Sequence, residues 1–131
     1  MMPDTDVTPV AWDLLDRRAI KDLVSRDGAD NVLGNLAEDS STPEAQALSL
    51  KDLAIAGEIP ALKEKTSIFK AWSEEHGLRR LSNILVELER VLELPARGQA
   101  ILQAQALTRF ILLHLQTDIT ALKRAISAAT D

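Results

Sequence analysis

The placement of its chain breakers constrains this molecule most. Gly28, Pro43, Gly57, Gly77 and Pro95 punctuate the sequence at intervals of roughly four to six helical turns. Between them apolar residues recur at helical spacing, and no hairpin dipeptide separates alternating runs. The chain therefore reads as all-α. Four or five amphipathic helices with short connections predict an antiparallel four-helix bundle preceded by a short extra N-terminal helix.

The segments follow from local signals. Thr8 and Pro9 mark a short opening turn, with Thr8 as cap and Pro9 in the first helical position. Asp16 caps the next segment, whose stripe of Ala19, Ile20, Leu23 and Val24 stops near Gly28. Asp30 is expected to cap a stretch carrying Val32, Leu33 and Leu36. Pro43, with Thr42 as cap, kinks that helix or restarts it. Leu48, Leu50, Leu53, Ala54 and Ile55 then continue to Gly57, a C-terminal stop. Three further helices are predicted over 58–76, 78–94 and 97–129. No linker or repeat divides the chain, so residues 1–131 form one domain, with 1–15 as lead-in and 16–130 as bundle.

Composition narrows the function classes. Aromatic residues make up only 3% of the 131, so Leu, Ile, Val and Ala must fill the core. A net charge of −5 argues against nucleic acid as partner, because binding phosphate needs a cationic surface. The absence of cysteine removes disulfides, thiolate catalysis and cysteine-ligated metals. The first ten residues have neither a basic start nor an apolar run of signal-peptide length. The longest apolar run, 110–113, is far too short to span a bilayer. The expectation is a cytoplasmic protein with no membrane partner, no metal and no cofactor.

On a helical wheel of 58–76, Leu62, Phe69, Trp72 and His76 share one side, flanked by Ala61 and Ile68. Pro60, Lys63, Ser67, Ala71 and Glu74 line the other, with Glu64 and Lys70 beside them. Ser67 is thus expected to stand outward near mid-helix, with a small neighbour one turn on. Lys65 falls on the apolar side and is expected to snorkel along the neighbouring helix.

This helix, EKTSIFKAWSEEHGLRRL, resembles the signature helix of the histidine-containing phosphotransfer (HPt) domains of bacterial phosphorelays. That signature reads His-x-Leu-Lys-Gly, with a Gly ten residues after the His and a Leu four beyond. Ser67 takes the histidine's place. Phe69 replaces the Leu and Ala71 the Gly, while Lys70, Gly77 and Leu81 match. Upstream, LLDRRAIKDLVSRDGADNV is similar to the family's opening helix and turn, and LKDLAIAGEIPALKEKTS to its approach to the signature. The resemblance covers about residues 14–94. It implies a module of two-component signalling whose partner is a response-regulator receiver domain or a histidine kinase.

The serine alters the chemistry that the resemblance implies. An imidazole with a pKa near 6.5 is nucleophilic at neutral pH, whereas a serine hydroxyl needs a neighbouring base. Neither Glu64 nor Glu74 is placed as one. The expectation is therefore a non-enzymatic docking module that relays no phosphate. Lys63, Lys70, Arg79 and Arg80 would supply positive charge, and Ser67, Ala71 and Glu74 would complete a low surface facing the receiver's acidic pocket. The plainer reading of these residues is a solvated helix face. The alternative relay residues are His76, expected to face the core near its helix end, and His114, beside an apolar stripe.

The last helix carries two apolar stripes. Ile101, Ala104, Leu107, Ile111, Leu115, Ile119, Leu122 and Ile126 form the core side. Leu102, Ala106, Phe110 and Leu113 form a second stripe, expected to be buried against the first helix and Trp12 or to offer a homodimer contact.

Overall fold

A computed structural model describes residues 10–38 and 43–129. Among them every regular element is helical. A 3-10 turn, Trp12–Leu14, precedes α1 (Arg17–Asp27), α2 (Ala29–Glu38), α3 (Pro43–Ala56), α4 (Ile59–Glu75), α5 (Arg79–Leu92) and α6 (Arg97–Ala129). The opening turn expected at Thr8 and Pro9, and the cap expected at Thr42, lie outside the described residues.

The starts and stops have local causes. Asp16 accepts a hydrogen bond from the amide of Ala19 at 3.2 Å, satisfying one of the free donors of α1. Asp30 is not a cap, because α2 already begins at Ala29 and Asp30 lies in its first turn. Its charge there still favours the positive end of the helix. Pro43 opens α3, where a missing N–H costs nothing, and its ring is buried.

Gly77 is required by its surroundings. Its φ is +69°, and its carbonyl accepts the amide of Asp16 at 2.8 Å. A Cβ at this position would lie 2.5 Å from Ile20 and 2.8 Å from the Asp16 carbonyl. The turn between α4 and α5 is therefore pressed directly against the start of α1.

Two ladders of contacts and one ion pair give the helix directions. Going up α4, Lys63, Ser67 and Ser73 meet Glu93, Glu89 and Ser82 going down α5. Arg97 and Gln105 of α6 donate to the carbonyls of Gly57 and Ala54 at the end of α3. Arg80, at the start of α5, reaches Asp118, far along α6. Each pair is antiparallel. Helices α3 to α6 contact in sequence and α6 returns to α3, while α1 packs on α2, α4 and α6.

The core lies inside this ring. Leu50, Leu62, Phe69, Leu81, Leu85, Leu88, Ile111, Leu115 and Leu122 are all within 2% of complete burial. At about 25 cal/mol per Å² of apolar surface, these aliphatic contacts are the main source of stability. Two large apolar residues of α3 lie outside it, Leu48 at 48% and Ile55 at 59% exposed. The buried face of α3 is centred on Ala47, Leu50 and Ala54, and the two alanines leave α6 room to approach. Among the described residues no helix is long and apolar enough to cross a membrane.

Candidate functional site

Helix α4 presents its middle to solvent as the wheel predicts. Leu62 and Phe69 are buried, Trp72 is half-buried, and Ser67, Ala71 and Glu74 are exposed. Two polar residues share the inner face, Thr66 and Ser73, both fully buried. Ser73 and Ser82 of α5 lie 3.0 Å apart, and their hydroxyls also reach the carbonyls of Lys70 and Leu78. Two protons thus serve three acceptors, and the small side chains let α4 and α5 pack closely. Ile68, expected to flank the core, is 59% exposed. Lys65 is also exposed, beside Ile68 and Phe69 at the edge of a recess between α3 and α4.

The Ser67 hydroxyl is engaged from the neighbouring helix. It donates to Glu89 Oε2 at 2.8 Å, while Lys70 Nζ donates to Glu89 Oε1 at 2.8 Å. The lysine bond, helped by that of Ser67, holds the Glu89 carboxyl below its ordinary range against an opposing pull from partial burial. Glu89 in turn raises Lys70, with a smaller contribution from Glu74. One turn away Lys63 pairs with Glu93 at 3.2 Å. An open recess beside Ser67 is lined by Lys63, Glu89, Arg90 and Glu93. The expected cationic face is therefore compensated by α5, and each of its two lysines already holds a carboxylate.

The two arginines after Gly77 part company. Arg79 is exposed and borders a recess with Glu74 and Asp16. Arg80 does not extend the patch: its guanidinium grips Asp118 of α6, with Nη2 to Oδ1 at 2.6 Å and Nε to Oδ1 at 3.0 Å. Asp118 is 2% exposed, and burial pushes its carboxyl above the ordinary aspartate value although Arg80 pulls the other way. Position 80 faces α6 because it lies about half a turn around α5 from Ser82 and Glu89, which face α4.

The histidines are tied to aromatic rings. His76 ends α4, its Nδ1 hydrogen-bonded to the Trp72 carbonyl at 2.8 Å and its ring stacked on Trp72 at 4.2 Å. It is half-buried rather than core, and a carbonyl partner makes Nδ1 the protonated nitrogen. His114 packs on Phe110 at 4.2 Å, half-buried on α6. Among the described residues no group of three or more His, Cys, Asp or Glu is placed to hold a metal ion.

The second stripe of α6 is not covered by α1 or by Trp12. Leu102, Phe110 and Leu113 are 68%, 42% and 75% exposed, and Ala106 is exposed with them. Trp12 is occupied elsewhere, under the Arg17 guanidinium at 4.3 Å. Helix α1 meets the ring at α4 and α6, and the four stripe residues remain exposed.

Sequence reasoning missed Glu89, Glu93 and Asp118. A signal for the first two existed. An antiparallel hairpin turning at Gly77 and Leu78 sets residues equally far from the turn side by side, which brings 67 to about 89 and 63 to about 93. No such shortcut leads to Asp118, whose partner is set by the packing of α6 across α5. No protein-family model, curated protein or solved structure matches this chain.

Proposed function

We propose that this chain is an HPt-like docking module of bacterial two-component signalling, working in the cytoplasm, that binds without relaying phosphate. Its partner is a response-regulator receiver domain or a histidine kinase. The observation that carries the reading is the state of Ser67: exposed at the middle of α4, where the HPt signature carries histidine, with its hydroxyl donated to Glu89. A carboxylate whose charge is stabilised by Lys70 is a weak base. It orients the hydroxyl without activating it, so the position offers a contact and no nucleophile.

The closed, antiparallel succession of α3 to α6 is the arrangement expected of an HPt-type four-helix bundle and supports the same reading. Ala71, Ser67 and the stems of Lys63 and Lys70 make a low surface suited to a receiver's acidic pocket. Docking exchanges the bonds of Lys63 to Glu93 and Lys70 to Glu89 for bonds to the partner's carboxylates. Exposed ion pairs are weak, so the exchange is cheap, and it makes binding transient and salt-sensitive. A relay through His76 or His114 has less support. The first uses Nδ1 for a backbone carbonyl, and the second packs against Phe110.

Calorimetric titration with a panel of purified receiver domains tests the proposal. Saturable binding that weakens with salt, and falls at least tenfold in Lys63→Glu/Lys70→Glu with helicity unchanged, is the expected result. Absence of binding across the panel, or binding indifferent to the double reversal, overturns it.

A further inference from the structure

The outer face of α6 has a character of its own, independent of the Ser67 face. Leu102, Ala106, Phe110 and Leu113 follow one another at steps of four, four and three, forming a single stripe about 17 Å long. The exposed charges of α6 itself are of one sign, although Arg97 lies on the opposite side of the helix, donating to the Gly57 carbonyl. The exposed charged residues of α6 are Arg97, Arg109, Lys123 and Arg124, and its one acid, Asp118, is buried against Arg80. In a chain of net charge −5, a 33-residue helix thus shows solvent four cations and no carboxylate. Among the described residues no ion pair involves Arg109, Lys123 or Arg124.

We propose that this face docks an acidic amphipathic helix of a partner protein. The apolar stripe supplies anchors over three turns, matching leucines at i, i+4, i+7 and i+11 of a helix laid along it. Arg109, between the anchors, receives a glutamate on the flank of that helix, and Arg124, about 16 Å beyond Leu113 on the line of the stripe, receives one at its end where the helix runs on past the last anchor.

The other occupants fit less well. In an antiparallel two-fold pairing of two copies the stripe is centred near Thr108. Arg109 of each copy then lies beside the other, with no α6 carboxylate free to separate them. A membrane is a poor occupant because three large apolar side chains give little insertion area.

The test uses a fluorescein-labelled synthetic helix of about 18 residues, with leucines at those four spacings and glutamates on both flanks, and a counterpart with lysine for every glutamate. The full-length chain is expected to bind the glutamate peptide saturably and at least tenfold more tightly than the lysine peptide. Arg109→Glu/Arg124→Glu should lose at least tenfold in affinity for the glutamate peptide and reverse the preference. Leu102→Ser/Leu113→Ser should lose at least tenfold with helicity intact. The proposal is overturned by equal binding of the two peptides, by unchanged affinity in either double variant, by capture of the chain on phosphatidylserine vesicles in place of peptide binding, or by a dimer that excludes the peptide. None of these results bears on the Ser67 face, which both double variants leave intact.

Discussion

Glu89 and Asp118 are both carboxylates gripped by a cation from a neighbouring helix, and their surroundings drive them in opposite directions. Glu89 lies at the rim of the α4–α5 seam with water at hand, and Lys70 lowers its pKa. Asp118 lies inside the α5–α6 seam, where the loss of hydration outweighs the arginine and raises its pKa. One kind of contact thus serves two ends. A pair at the rim can be opened by a partner, whereas a pair in the interior holds two helices in register because its opening strands a charge.

The largest effect should come from breaking the interior pair on one side. Arg80→Leu leaves Asp118 buried without its cation and should cost about 3 kcal/mol in urea unfolding. Arg80→Met combined with Asp118→Leu should recover most of that loss, since no charge is then buried alone. A double variant as unstable as the single one would show that the pair contributes more than mutual neutralisation.

Thr66 supplies a neutral third case. Its hydroxyl is fully buried and is the one buried side-chain polar atom among the described residues without a hydrogen-bond partner. Thr66→Val keeps the shape and removes the unsatisfied group, so it should stabilise the fold by about 1 kcal/mol. Glu89→Gln should have a smaller effect on stability, because water replaces the lost bonds to Ser67 and Lys70.

Acid titration separates the two carboxylates by sign. Glu89 is lowered by folding, so its contribution is present above its unfolded pKa and lost as pH falls through the folded value. Asp118 is raised, so its contribution is greatest below its unfolded value of 3.8 and is lost as pH rises through the folded value. The stability gap between the native chain and Glu89→Gln should therefore close on acidification. Carboxyl carbon NMR should place the midpoint of Asp118 above its free-peptide value and that of Glu89 below its own. An Asp118 midpoint at or below its free-peptide value would contradict the burial assigned to it.

The helices were legible because their ends are local. Gly57, Gly77 and Pro95 stop them, Asp16 caps one, and 3.6-residue periodicity orients α4 well enough to place Ser67 outside and Phe69 inside. What stayed hidden depends on which helix lies across the way. Arg80 reads as part of a surface run with Arg79 until α6 supplies Asp118. Lys63 and Lys70 read as free cations until α5 supplies Glu93 and Glu89. Leu48 and Ile55 stay exposed because α3 has more apolar residues than its buried face can use. Periodicity describes one helix at a time, and compensation between charges belongs to pairs of helices.

Phosphoryl transfer tests the account most directly. A receiver domain that binds the chain is loaded with radioactive phosphate on its aspartate and mixed with the native protein, and each chain is followed on a gel. The account predicts a bound receiver and no label on this chain. Acid-labile or hydroxylamine-labile label appearing on the native chain would contradict it.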